Sequence, residues 1–140
     1  MARTVQVVID CHDPDALAHF WADTLDYQLE APPAGYASWP DWLVAVGVPE
    51  DQWNSRSAIV DPDGVGPRLF FQQVPEDKSV KNRLHLDVRV GTRGEDNRAK
   101  VDAEVARLKS RGATEAWAED TDNEYFVVLR DPEGNEFCVT

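Results

Sequence analysis

A four-residue turn occurs twice in this chain, as Asp61-Pro-Asp-Gly64 and as Asp131-Pro-Glu-Gly134, 70 positions apart. In such a turn proline presets φ and glycine accepts a positive φ, so each copy predicts a tight reversal between two strands. The segments around the two turns correspond in order: strand, helix, strand, strand, turn, strand. An internal repeat of this kind limits the architecture more than any single element does, because one such unit cannot bury a sheet face alone. The expected fold is α+β: one domain over residues 1–140 made of two βαβββ modules, 1–78 and 79–140. Together they would form a cupped mixed sheet with helices outside and a cleft between the modules.

The individual elements follow from hydrophobic period and capping signals. Thr4–Cys11 is β-rich, and burial of Val5, Val7 and Ile9 leaves Gln6, Val8 and Asp10 on the opposite face. Asp13 is a good N-cap and Pro14 suits the first turn of a helix over 14–25, with Leu17, Phe20, Trp21, Thr24 and Leu25 on one stripe. His19 lies beside that stripe and His12 in the turn before it. Tyr27–Glu30, Leu43–Val48, Arg56–Val60 and Arg68–Val74 read as strands. In the second module, Asn82–Val90 alternates strictly, with Leu84, Leu86, Val88 and Val90 apolar and Arg83, His85, Asp87 and Arg89 polar, so Leu84, Leu86 and Val88, like Val5, Val7 and Ile9, are expected under the helices. A helix over 98–111 carries Val101, Val105 and Leu108 on one face and ends before Gly112. Ala113–Glu119, Glu124–Arg130 and Glu136–Val139 complete the repeat as strands.

Charge narrows the function classes. Fourteen Lys and Arg against 26 Asp and Glu leave a net charge of −12, which opposes nucleic acid and anionic membrane surfaces and attracts cations. No apolar run is long enough to span a bilayer. The chain enters a strand within a few residues of Met1, so no leader is expected. Two cysteines, Cys11 and Cys138, make no disulfide framework and predict free thiols in a reducing cytoplasm.

Three stretches give the chain a family likeness: Asp13-Pro-Asp-Ala-Leu-Ala-His-Phe-Trp-Ala-Asp-Thr-Leu25, Asn82-Arg-Leu-His-Leu-Asp-Val88 and Asp131-Pro-Glu-Gly-Asn-Glu-Phe-Cys-Val139. It resembles the vicinal oxygen chelate superfamily of glyoxalase I, extradiol dioxygenases and bleomycin-resistance proteins. Bacterial glyoxalase-like domain proteins are the nearest match in kind. The resemblance implies a homodimer, and the open edges of two cupped sheets give a second copy something to cover. Family helices of this type end in Leu-Gly, whereas here Leu25 is followed by Asp26. Metal-using members place a His or Gln on each module's first strand and a Glu on each last strand. By position these fall on Gln6 and His85, on Gln72 or Gln73 with Gln72 preferred, and on Cys138 in place of a carboxylate.

Two amides and a thiol are poor ligands for a hard divalent ion. A tightly bound catalytic metal is therefore not expected, although a weak site drawn from Gln6, Gln72, His85 and Glu136 is compatible with the resemblance. Glu136 shares the parity of Cys138, and Asp87 that of His85, so His85, Asp87 and Glu136 are the candidate acid–base groups. Trp39, Trp42 and Trp53 lie in a proline-rich segment that makes module one about nine residues longer than module two. With Gln6, Gln72, Arg89 and Cys138 they form the expected ligand-binding set, for a small, aromatic, neutral or cationic molecule held in the cleft between the modules. The alternatives are a metal-dependent lyase, isomerase or dioxygenase, and a structural module whose cleft is plugged by its own side chains.

Overall fold

The computed structural model describes residues 1–140, which divide into two compact units, Met1–Glu76 and Asp77–Thr140. Unit one contains β1 (Val7–Cys11), α1 (Pro14–Leu25), β2 (Gln28–Leu29), α2 (Trp39–Ala45), a 3₁₀ segment (Glu50–Ser55), β3 (Arg56–Val60) and β4 (Leu69–Gln73). Its sheet has the order β1-β4-β3-β2, with β1 parallel to β4 and the other pairs antiparallel. Unit two repeats the plan with β5 (Asp87–Val88), α3 (Arg98–Ser110), β6 (Thr114–Asp120), β7 (Tyr125–Arg130) and β8 (Glu136–Val139). The order is β5-β8-β7-β6, and again the first strand runs parallel to the last. The α+β class and the doubled module are therefore as the repeat predicts.

The repeated turn is the same physical device in both units. Asp61 accepts from the backbone N–H groups of Asp63 (2.8 Å), Val65 (3.0 Å) and Gly66 (2.7 Å). Asp131 accepts from those of Glu133 (2.9 Å) and Asn135 (3.0 Å). In each, the glycine N–H closes onto the aspartate carbonyl, and both glycines have positive φ. An aspartate at the first position satisfies N–H groups that the turn would otherwise leave bare.

Helix α1 packs on β3 and β4 through Leu17, Phe20, Trp21 and Thr24, against Ile59, Leu69 and Phe71. Asp13 caps it by accepting from the Ala16 N–H at 3.1 Å, and Asp26 ends it in the left-handed region at φ 54°. This is the position at which the resemblance implies a glycine. Helix α3 packs on β7 and β8 through Val101, Val105 and Leu108. Its polar side is tied down by the Tyr125 hydroxyl donating to Asp102 and by the Arg98 guanidinium 5.4 Å from the Tyr125 ring.

Three sequence expectations fail, each for a local reason. Leu43–Val48 is not a strand; it lies across the end of α2 and the turn after it. Ser38 caps this helix by accepting from the Asp41 N–H (3.2 Å), Pro40 sits in its first turn, and these start signals override the β-leaning run Leu43–Val48. Asn82–Val90 pairs as a strand only at Asp87–Val88, extended by the Cys138 N–H to the Leu86 carbonyl and the Val90 N–H to that of Thr140. Earlier in that stretch a side chain replaces the ladder: the Asn82 N–H donates to the Glu136 carboxylate at 2.9 Å. Finally, Val5 and Leu84 are exposed rather than under a helix, because β1 begins to pair only at Val7 and β5 at Asp87. The predicted parity survives further along: Val7, Ile9 and Leu86 are half-buried and Val88 is buried.

Candidate functional site

Two hollows carry most of the expected site residues. The first is built entirely from unit one and has a volume of about 720 Å³. Its floor is the sheet, with Phe70 on β4 beside its cross-strand neighbour Ala58 on β3, and Leu29 on β2. Helix α2, the turn after it and the 3₁₀ segment supply Trp39, Trp42, Leu43, Val48 and Trp53. Trp39 and Trp42 meet edge to face with centroids 5.6 Å apart. The Trp39 indole N–H donates to the Glu30 carbonyl (2.7 Å) and that of Trp53 to the Val48 carbonyl (3.0 Å), which fixes both rings with their apolar surfaces presented. Glu30 and Arg68 form a two-pronged ion pair on one wall, with N–O distances of 2.9 and 2.6 Å, and Arg68 lies over the Phe70 ring. The pair holds the Arg68 guanidinium even more firmly protonated than usual, chiefly through its hydrogen bond to Glu30.

The second hollow, about 290 Å³, belongs to unit two and includes His85, Asp87, Glu136, Cys138, Trp117 and Phe126. Asp87 and Cys138 are register partners on β5 and β8, so their side chains emerge together. The His85 Nε2 is 3.5 Å from an Asp87 carboxylate oxygen, and ligand atoms of His85, Asp87 and Cys138 lie within 4.8 Å of one another. Glu136 points to a different task. It accepts from the Asn82 N–H (2.9 Å) and pairs with Lys78 (3.2 Å) and Arg130 (4.0 Å), with its side chain only 11% exposed. Burial alone would push its carboxyl up, but the hydrogen bonds and the Lys78 ammonium outweigh this and hold it below the usual range.

A model of the glyoxalase-like domain matches residues 6–140. The chain belongs to the glyoxalase-like domain family. Solved structures agree on the fold. A glyoxalase/bleomycin resistance protein/dioxygenase family enzyme from Burkholderia phytofirmans PsJN is 19% identical, with TM-score 0.64 over 99% of this chain and 97% of that one. A possible glyoxalase from Bacillus cereus is 15% identical, with TM-score 0.63 over 100% and 99%. A point mutant of the fosfomycin resistance protein FosX from Listeria monocytogenes, complexed with Mn(II) and 1S,2S-dihydroxypropylphosphonic acid, is 9% identical, with TM-score 0.64 over 99% and 89%. No curated protein matches the chain in sequence. The superfamily is thus the vicinal oxygen chelate one.

The metal that this superfamily suggests can be tested against the donors present in this glyoxalase-like domain. In the weak set Gln6, Gln72, His85 and Glu136, the Gln6 amide oxygen already accepts from the Arg68 guanidinium at 2.7 Å, so an ion there would meet a fixed cation. Glu136 is committed to Lys78, Arg130 and Asn82. The set Gln6, Gln72, His85 and Glu136 does not fit a hard divalent ion. His85, Asp87 and Cys138 are a different set, one nitrogen, one oxygen and one sulfur, of a kind zinc accepts.

The glyoxalase-like domain disperses some other expected residues. Arg89 lines a third, polar hollow with Arg93, Asp96 and Arg98, which does not include His85. Gln72 shares the Phe70 face of β4 but lies beyond the tryptophan pocket, and the Gln73 amide donates to the His12 carbonyl (3.0 Å). His12 and His19 bond to the carbonyls of Glu76 and Asp15. Sequence reasoning did not single out Arg56, Arg68, Phe70, Trp117 or Phe126. The alternation of Arg68, Phe70 and Gln72 on one strand was the available signal for two of them.

Cys138 gives a pH-dependent prediction. Burial first, then the Asp87 negative charge and its hydrogen bond, push the thiol from an ordinary 9.0 up to about 11. The unfolded chain ionises first as pH rises, so the stability due to a neutral Cys138 is complete below pH 9 and lost between about 9 and 11. Unfolding free energies from urea titrations across that range should fall further in the native protein than in Cys138→Ala, by on the order of 2 kcal/mol. Parallel curves would show that the thiol is not held neutral.

Proposed function

We propose that this glyoxalase-like domain binds a small, flat, aromatic molecule in the tryptophan-walled pocket of its first unit, without a tightly bound catalytic metal. The observation that carries this reading is the convergence of Trp39, Trp42, Trp53 and Phe70 on one hollow of about 720 Å³. That volume lies within the range of small-molecule sites, and rings fixed from behind are ready for stacking without further ordering cost. The net charge of −12 sets a long-range field that favours ligands neutral or cationic overall. Trp42 is the ring to test, because its indole N–H has no partner within the chain. Trp42→Ala should weaken binding of an aromatic ligand about tenfold or more, read by calorimetry, from roughly 1.5–3 kcal/mol of lost stacking and burial. Unchanged affinity would move the site elsewhere.

A second reading, a metal-dependent lyase, isomerase or dioxygenase, is favoured by the grouping of His85, Asp87 and Cys138 and by the Mn(II) complex of FosX. His85 and Asp87 would then also serve as acid–base groups. The raised thiol argues for weak occupancy, since Cys138 must lose its proton to bind an ion. Elemental analysis of untagged protein is expected to find well under one zinc, iron, manganese or nickel per chain; one per chain would favour the enzyme.

The same reading includes a homodimer that covers exposed sheet edges, checked by light scattering, and a reducing cytoplasm in which Cys11 and Cys138 stay free. No helix is long and apolar enough to cross a membrane. The acidic surface argues against nucleic acid as a partner.

A further inference from the structure

Several polar groups around the tryptophan pocket already have partners in the fold. Glu30 spends both carboxylate oxygens on Arg68, and the remaining Arg68 nitrogen donates to Gln6 at 2.7 Å. Asn54 accepts from the Asp15 N–H (2.9 Å) and donates to Asp13 (2.8 Å). The Asp15 carboxylate faces His19 at 3.6 Å. The indole N–H groups of Trp39 and Trp53 are spent on backbone carbonyls. Arg56, at the start of β3, lies in the pocket wall and has no partner in the chain. It is thus the pocket's one cation without an acidic partner, whereas Arg68 is held by Glu30, and it brings five N–H donors in a planar fork.

Building on the aromatic-ligand reading, we infer that Arg56 anchors a carboxylate on the ligand, so that the pocket takes a flat aromatic ring bearing a planar, singly charged acid. A doubly charged phosphate would need a second free cation, and the only other guanidinium in the wall, Arg68, is neutralised by Glu30. A carboxylate matches the fork with two parallel hydrogen bonds. The acidic surface does not forbid this. Charges more than about 10 Å away are largely screened at 0.1 M salt, whereas a contact pair inside a pocket is not. A ligand that carries a compensating amine elsewhere, and is neutral overall, satisfies both the field and the anchor.

The test is calorimetry at 0.1 M salt with three probes of one shape: cinnamate, cinnamamide and cinnamylamine. Cinnamate should bind at least tenfold tighter than the amide, and the amine weakest. Arg56→Gln should erase the preference while leaving the melting temperature unchanged, because Arg56 is exposed and its side chain bonds to nothing in the fold. Arg56→Lys should keep part of it. Equal binding of acid and amide, a preference for the amine, or full preference retained in Arg56→Gln would overturn the anchor and leave the aromatic pocket standing. No saturable binding of any probe would reject the pocket itself, and the anchor with it.

Discussion

Trp21→Ala should destabilise the protein by about 3–5 kcal/mol, the largest loss expected from any single side chain in unit one. Trp21 is 2% exposed on the inner stripe of α1, edge-on to Phe20 at 5.7 Å, above a floor of Ile59, Leu69 and Phe71. Removing the indole leaves a cavity that a close-packed core cannot fill without strain. Since domains are stable by about 5–15 kcal/mol in total, the variant should melt roughly 10 °C lower or fail to accumulate. Trp39→Ala, at a ring that is 37% exposed, is the matched comparison and should cost much less. Equal losses would mean that the pocket tryptophans are core residues, and would weaken the ligand-binding proposal directly.

Glu136→Ala should cost about 2–4 kcal/mol, because it strips a mostly buried carboxylate from Lys78 and Arg130 and leaves the Asn82 N–H without its acceptor. The pH dependence has a definite sign. The folded carboxyl titrates below its ordinary 4.5, so its contribution is present above that pH and is lost as the pH falls through the folded value. Acid unfolding of Glu136→Gln should therefore show a shallower fall in stability than the native protein. A Glu136→Ala protein of native stability that no longer binds or turns over a ligand would return this residue to the site as an acid–base group.

Glu136 also shows how far a sequence can be read. Its parity with Cys138 was legible, because alternation along a strand is local. Its partners were not, because Lys78 and Asn82 reach it only through the path of the chain before β5. The same division holds for Asn82–Val90. Alternation correctly put His85 and Asp87 together, and register then added Cys138. Arg89, two residues on, goes to another hollow, because the strand pairs only briefly and its neighbours change.

By itself the sequence determined what depends on short range and on repetition. The twin Asp-Pro-x-Gly turns, the capping of α1 by Asp13, the stripes of α1 and α3 and the parity of β4 are set by backbone chemistry within a few residues, and their duplication implies the paired modules. Only the tertiary structure decided which charges cancel. Glu30 and Arg68 are 38 positions apart, and Gln6 and Arg68 are 62 apart. Pairing across such distances depends on strand order and register, which in turn depend on the whole core. Three tryptophans in the long loop suggested a ring-lined wall. That they join Phe70 over a sheet floor, with Arg56 left unpaired, required β2, β3 and β4 to be laid side by side beneath that loop.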